Sequence, residues 1–313
     1  MIISASRRTD IPACYPDWFF RRIKEGFVLA RNPMNFHQIS KISLSPDVVD
    51  GIVFWTKNPA PMMERLDELS DYTYYFQFTL TSYGKDVEPG VPVKSGEVIP
   101  TFLRLADKIG PDRVIWRYDP ILISQKYDAC YHQEYFYEIA KRIKDHTRKC
   151  IISFLDFYKG AASRLKSLEL VETDEARKRE LARSLMMIAG SFGLALETCA
   201  EEMDLSEYGI GHAHCIDAKL FEKLRGQPLR IEKDKNQRPT CGCFASIDIG
   251  MYDTCRNGCK YCYANHNAAA VKSNVSKHDP NSPLLSGEVG PDDVVKERAM
   301  KSCLEFQTRL EEP

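Results

Sequence analysis

The residues richest in chemistry lie near the end of the chain. Cys255, Cys259 and Cys262 form a C-x3-C-x2-C run, and Cys241 and Cys243 stand shortly before it, so five of the eleven cysteines fall within residues 241–262. Clustering of this kind is what a metal site produces, and three closely spaced thiolates on a short loop can hold three irons of a [4Fe–4S] cluster. When no fourth cysteine completes the set, one iron is left to bind something else. Zinc is the alternative metal. Structural zinc takes four N or S ligands from paired knuckles, and the second pair here would have to come from Cys241 and Cys243 or from a histidine such as His266. The balance favours iron and sulfide.

Cys199, Cys215, Cys241 and Cys243 number four, a complete ligand set for a second cluster. In the competing view Cys199 and Cys215 are core thiols and the Cys241 and Cys243 pair serves zinc or the first cluster. Cys14, Cys130, Cys150 and Cys303 read as packed thiols, since isolated cysteines are among the most buried residues. His212 and His214 flank the same region as Cys215, but lone histidines are more often hydrogen-bonded structural residues than ligands.

Positioning such groups needs a scaffold. The first 225 residues alternate short β-branched or aromatic runs with longer segments of helical period, the pattern of a parallel α/β fold. Strands are expected at Ile2 to Ser6, Gly51 to Thr56, Tyr72 to Thr81, Arg113 to Tyr118, Cys150 to Asp156 and Gly193 to Thr198. Helical stripes run from Tyr131 to Ile143 and through Leu181, Leu185, Ile188 and Ala189. No glycine-rich phosphate loop follows the first strand, which argues against an open nucleotide-binding sheet and for a (β/α) barrel or partial barrel. In a parallel barrel all strand C-termini open at one mouth. Arg7 and Asp10, Lys57, and Arg117 and Asp119 each follow or end such a strand and are the candidate mouth residues. Residues 226–240 are polar and read as a linker. Residues 241–265 hold the cysteine loop and a further strand from Ala245 to Gly250, and residues 266–313 read as an exposed loop followed by an amphipathic helix from about Asp292 to Leu310, packed on the barrel.

Composition bounds the function. The 43 basic and 44 acidic residues leave a formal charge of −1, so no overall field steers the chain to nucleic acid or to anionic lipid. No apolar run approaches the roughly 20 residues a membrane span needs, and the opening residues are too short an apolar stretch for a secretion signal. A cytoplasmic protein is expected, where reduced cysteines serve metals or catalysis rather than disulfides.

The C-x3-C-x2-C run with Tyr261 before its third cysteine, continuing Tyr263-Ala264-Asn265, resembles the cluster loop of radical S-adenosylmethionine enzymes, especially those similar to spore photoproduct lyase. The resemblance implies that Cys255, Cys259 and Cys262 ligate a [4Fe–4S] cluster and that Tyr261 lies near the adenine of S-adenosylmethionine. It further implies that the open iron chelates that cofactor and that reduction yields a 5′-deoxyadenosyl radical. In that superfamily the loop follows the first strand, whereas here it comes near the chain's end. The chain as a whole, including Ser6-Arg7-Arg8-Thr9-Asp10-Ile11-Pro12 and Trp55-Thr56-Lys57-Asn58-Pro59, resembles the domain of unknown function 1848 family, which carries this cluster at its C-terminus and whose name supplies no activity. Because a barrel is cyclic in its strand neighbours, a circularly permuted barrel would tolerate the displacement. The strand from Ala245 to Gly250 would then lie beside Ile2 to Ser6. The chain contains no Gly-Gly pair, so the Gly-Gly-Glu strand end that binds the methionine amino group in the superfamily has no counterpart, leaving Arg7, Asp10 or Lys57 for that task.

The expected protein is thus an iron–sulfur enzyme acting on an unknown substrate, small-molecule or otherwise, with flavodoxin or ferredoxin as electron donor. A non-catalytic redox or sensor protein and a zinc-stapled binding module are the alternatives.

Overall fold

Period-two alternation along the strands decides which side chains line each side of the main sheet. In the computed structural model, which describes residues 1–305, the elements run β1 (Ile2–Ala5), α1 (Ile11–Cys14), α2 (Pro16–Glu25), β2 (Phe27–Asn32), β3 (Asn35–Ser43), β4 (Gly51–Thr56), α3 (Ala60–Met63) and β5 (Tyr74–Thr79). They continue with α4 (Ile99–Ile109), β6 (Val114–Ile121), α5 (Ala129–Ile143), β7 (Lys149–Phe154), α6 (Ala162–Leu165), α7 (Glu175–Ser191), β8 (Ala195–Thr198), β9 (Gly211–His212), α8 (Ala218–Arg225), β10 (Ser246–Asp248), α9 (Ala268–Ser276) and β11 (Val294–Glu297).

Eight strands form one sheet in the order β10-β1-β4-β5-β6-β7-β8-β9, and every pairing in it is parallel. The odd strand out in chain order is β10, which pairs β1 with Ile2 opposite Ser246 and Ser4 opposite Asp248. The neighbourhood expected for the late strand is therefore observed. On one side of the sheet Ile3, Ile52, Phe54, Phe76, Phe78, Trp116 and Ile152 pack into a large core with the helices. Trp116 stacks on Phe136 of α5 at a centroid distance of 4.6 Å. On the other side Ile2, Val53, Tyr75, Ile115 and Ile151 form a smaller core with Phe221 of α8. The expected helices have defined starts: Asp128 caps α5 by accepting from the Tyr131 N–H at 2.8 Å, and Asp174 caps α7 by accepting from the Arg177 N–H at 2.8 Å.

The structure departs from or narrows the sequence reading in three places, limiting the expected barrel or partial barrel to a partial one. Among the described residues no ladder joins β9 to β10, so the sheet is not a closed barrel. The two edges are linked only past the strands, where the Phe244 N–H donates to the Ile216 carbonyl at 3.1 Å. Residues 27–43, given no element from sequence, form a hairpin in which β2 and β3 pair antiparallel. The helix expected from about Asp292 to Leu310 does not form over its described part. Residues 294–297 are strand β11, which pairs β3 in parallel and completes a three-stranded sheet; the remainder of that expectation, residues 306–310, lies outside the described residues. The residues of β11 are all exposed, so a helix here would have no buried apolar face to stabilise it, whereas the β3 edge offers ladder partners to the backbone. The segment before it runs along α2, where the buried Arg22 donates to the Asn281 carbonyl at 3.1 Å and Trp18 to that of Ser282 at 2.9 Å. No helix among the described residues is long and apolar enough to cross a membrane.

Asp248 ties β10 to β1. Its carboxylate accepts from Ser4 Oγ at 3.0 Å, Ser6 Oγ at 2.6 Å, the Arg7 N–H at 2.8 Å and the Gly250 N–H at 3.0 Å. Gly250 is required at the exit of β10, because a Cβ there would lie 2.1 Å from Ser6 Oγ. Replacing Asp248 by alanine leaves buried donors without acceptors, and the Asp248→Ala variant should lose about 1–3 kcal/mol of stability, read as a lowered urea midpoint with an unchanged slope.

Candidate functional site

Above the small apolar core, the same inward rows of the sheet turn polar toward the strand C-termini: Ser4 and Ser6 on and after β1, Trp55 and Lys57 on and after β4, Gln77 and Thr79 on β5, Arg117 and Asp119 on β6, and Ser153 on β7. These rows open into a cavity of about 490 Å³. Its lining includes all five mouth candidates, Arg7, Asp10, Lys57, Arg117 and Asp119, together with Tyr261 and the cysteines 199, 215, 241, 243, 255, 259 and 262. The late cysteine loop and the strand ends therefore share one mouth.

The loop is held there by its backbone. The Gly90 N–H donates to the Asn257 carbonyl and the Lys260 N–H to that of Val87, each at 2.9 Å. Arg164 of α6 donates to the carbonyls of Lys260, Cys262 and His266. Gly258 takes a left-handed φ of 64°, and Gly90 presses so close that a Cβ would meet the Asn257 carbonyl oxygen at 2.7 Å. Burial pushes the Cys259 thiol up to about 12 against the opposing pull of Lys57. Cys255 rises well above the thiol range because it pairs with the Cys14 thiol and is buried, while Cys14 falls below that range. Cys14, read from sequence as a bystander, thus contacts the loop from behind.

The mouth candidates differ in what they can still do. Asp10 is committed: its carboxylate accepts from the Lys57 N–H at 2.8 Å, Asn257 Nδ2 at 3.0 Å and the Ala13 N–H at 3.1 Å, capping α1. Burial raises its pKa against those bonds. It therefore fixes the loop to β4 while lining the cavity. Lys57 donates to Glu88 Oε1 at 2.7 Å, Lys94 to Oε2, and Thr81 at 3.0 Å and Tyr261 to Oε1. The Tyr261 hydroxyl is thereby anchored, with its ring beside Tyr83 at 6.2 Å between centroids. Burial alone would raise the Glu88 carboxyl, but the two ammoniums outweigh it and hold it at about 2. One carboxylate does not compensate both cations: Lys57 is raised despite burial, whereas burial and the like charge of Lys57 leave Lys94 lowered.

Arg117 is buried and donates through Nη1 to Cys215 Sγ at 2.8 Å and through Nη2 to Asp119, which also accepts from Ser153 Oγ. Arg7 and Arg117 each place a guanidinium 5.3 Å from the Trp55 ring centre. Cys199 and Cys215 lie 3.4 Å apart, and Cys243 is hydrogen-bonded to both Cys215 and Cys241. Proton sharing with Cys215 lowers Cys199 to about 7, and with Cys215 and Cys241 it lowers Cys243, while Cys215 and Cys241 are raised. Among the described residues no three His, Cys, Asp or Glu side chains stand arranged around a single ion. His214 bonds the Gly242 carbonyl and His212 the Thr198 hydroxyl, the structural roles expected of them.

Sequence reasoning missed Glu88, Lys94, Arg164 and Asp248. Only Asp248 left a signal: in Ser246-Ile247-Asp248-Ile249 the alternation puts it on the face opposite two apolar residues. Glu88, Lys94 and Arg164 lie in loops or on a single-turn helix, where no period marks the inward side.

Fold and site define a parallel α/β protein whose strand C-termini and a cysteine-rich loop enclose one cation-bearing cavity. The family described as Domain of unknown function (DUF1848) matches residues 2–264, and the chain belongs to that family. No curated protein gives a significant match.

Glu88 stabilises the fold above the ordinary carboxyl range, and that contribution is lost as pH falls from about 4.5 through about 2. The Glu88→Gln variant, with two unpaired lysines, should be less stable than wild type at pH 7, and acid titration of the urea midpoint should show the gap narrowing through that window. The Gly90→Val variant should displace residues 255–260, read as increased amide exchange across the loop.

Proposed function

We propose that the protein is an iron–sulfur enzyme of the radical S-adenosylmethionine type, built on a circularly permuted partial (β/α) barrel. One observation carries the proposal: the thiols of Cys255, Cys259 and Cys262, on one tightly anchored loop, all line the cavity at the strand C-termini, while Cys14, the nearest further thiol, is not among the lining residues. Three protein thiols at a cavity wall fit a cluster with one open corner. The order β10-β1-β4 supports the permutation, because it restores the strand-then-loop-then-barrel sequence that a cluster loop after the first strand requires.

Bound there and reduced, the cluster would supply cleavage of S-adenosylmethionine to a 5′-deoxyadenosyl radical. The chain's own residues provide the surroundings. Tyr261, fixed by Glu88, offers a rigid ring beside the loop. Lys57 and Arg7 face the cavity as cations suited to a carboxylate, and Arg7 can grip one through two N–H groups. Tyr158 and Tyr263, with ring centres 5.4 Å apart, line the cavity where it meets solvent. The net charge of −1 and the cavity location favour a substrate other than long nucleic acid. A low-potential donor such as flavodoxin or ferredoxin and a reducing, cytoplasmic setting complete the proposal.

Anaerobic reconstitution with iron, sulfide, dithionite and S-adenosylmethionine tests it. Wild type should bind a sulfide-containing cluster and release 5′-deoxyadenosine, and Cys259→Ala should lose that release by at least about 100-fold, since one missing thiolate leaves an iron without its ligand. A reducible cluster with no 5′-deoxyadenosine would instead indicate an electron carrier or sensor, and zinc without sulfide a binding module.

A further inference from the structure

The four remaining cysteines of the cavity come from three separate places in the chain. Cys199 follows β8, with its N–H donating to the Ile152 carbonyl at 2.8 Å. Cys215 follows β9, and Cys241 and Cys243 precede β10. They meet where the sheet edges fail to join, so the thiols occupy the seam that a ladder would otherwise close. The backbone is shaped to bring them there. A Cβ on Gly242 would lie 2.8 Å from the Ala213 carbonyl oxygen, so only glycine lets the Cys241-Gly242-Cys243 turn press against the exit of β9. The Ile216 N–H points at Cys243 Sγ, 3.4 Å away.

Two cations face this group. Arg117 Nη1 is 2.8 Å from Cys215 Sγ. Arg7 lines the same cavity wall, has Nη1 4.0 Å from an Asp234 carboxylate oxygen, and has a buried Nη2 that lacks any hydrogen-bond partner. An orphaned guanidinium donor beside neutral thiols is costly, because a buried charged donor without an acceptor forfeits its solvation. The same donor is satisfied by thiolates. Four thiolates around a divalent ion or a four-iron cube carry a net charge of about −2, which two guanidiniums offset.

We infer that Cys199, Cys215, Cys241 and Cys243 form a second metal–thiolate centre, complete with four protein ligands and therefore without an open coordination position. Its ligand chemistry, all sulfur, accepts either an iron–sulfur cluster or a single zinc ion, although the four thiols are not arranged around an ion in this structure. In either case the metal joins the last strand to the two strands at the far edge and closes by ligation a sheet that hydrogen bonds leave open. This centre does not depend on the cofactor chemistry proposed above.

The test uses the full chain with Cys255, Cys259 and Cys262 all replaced by alanine, purified anaerobically, with iron, zinc and acid-labile sulfide measured per chain. About four irons with matching sulfide would identify a cluster, and about one zinc without sulfide a single ion; either supports the centre. Adding Cys199→Ser and Cys241→Ser should remove that metal. A metal-free triple variant, or one carrying a Cys199–Cys215 disulfide instead, overturns the inference. Should the triple variant not fold, wild type is compared with Cys199→Ser/Cys241→Ser: the metal content should fall by the same amount, and an unchanged content overturns it. Because the first loop's ligands are absent or untouched in these comparisons, a failure here is distinct from a failure to cleave S-adenosylmethionine.

Discussion

The pairing of β10 with β1 is the constraint on which the site depends. A three-residue parallel contact is a weak tie by itself, yet it carries the cysteine loop from residues 255–262 to strand ends whose residues lie some 240 positions earlier. Asp248 makes the tie specific. Its two oxygens take four donors from both strands, so β10 cannot slide by one residue without stranding buried hydroxyl and amide groups.

Around that tie the polar groups divide into those that hold and those that face the cavity. Asp10 and Glu88 are saturated with donors and serve to fix the loop and the Tyr261 ring. Arg7 and Arg117 keep donors directed at thiols or at the cavity. The division follows from burial: a carboxylate inside the protein persists only when its charge is matched, whereas a guanidinium at a cavity wall can keep part of its donor set for a partner.

The elements legible in sequence were those with a strong period. The six central strands were expected within a few residues of their observed bounds, and the stripes of α5 and α7 were visible because one face of each must pack on the sheet. The β2–β3 hairpin and β11 were not, since their sheet lies at the periphery and residues such as Met34, Phe36 and Val294 remain exposed, blurring the alternation. Asp10 was singled out as a mouth residue and does lie there, but its donors come from β4, α1 and the loop at residue 257, contacts that no local pattern encodes.

The sequence by itself determined an α/β scaffold, the spacing of three thiols on one loop, and a set of polar residues at strand ends, because strand period and ligand spacing are local properties of the chain. Tertiary structure decided that all of these open into one cavity, that Glu88 and Arg164 anchor the loop, and that Cys199, Cys215, Cys241 and Cys243 converge at the seam. Those outcomes rest on contacts between segments far apart in sequence, whose partners are selected only when the sheet assembles and the donors and acceptors of distant loops are buried together.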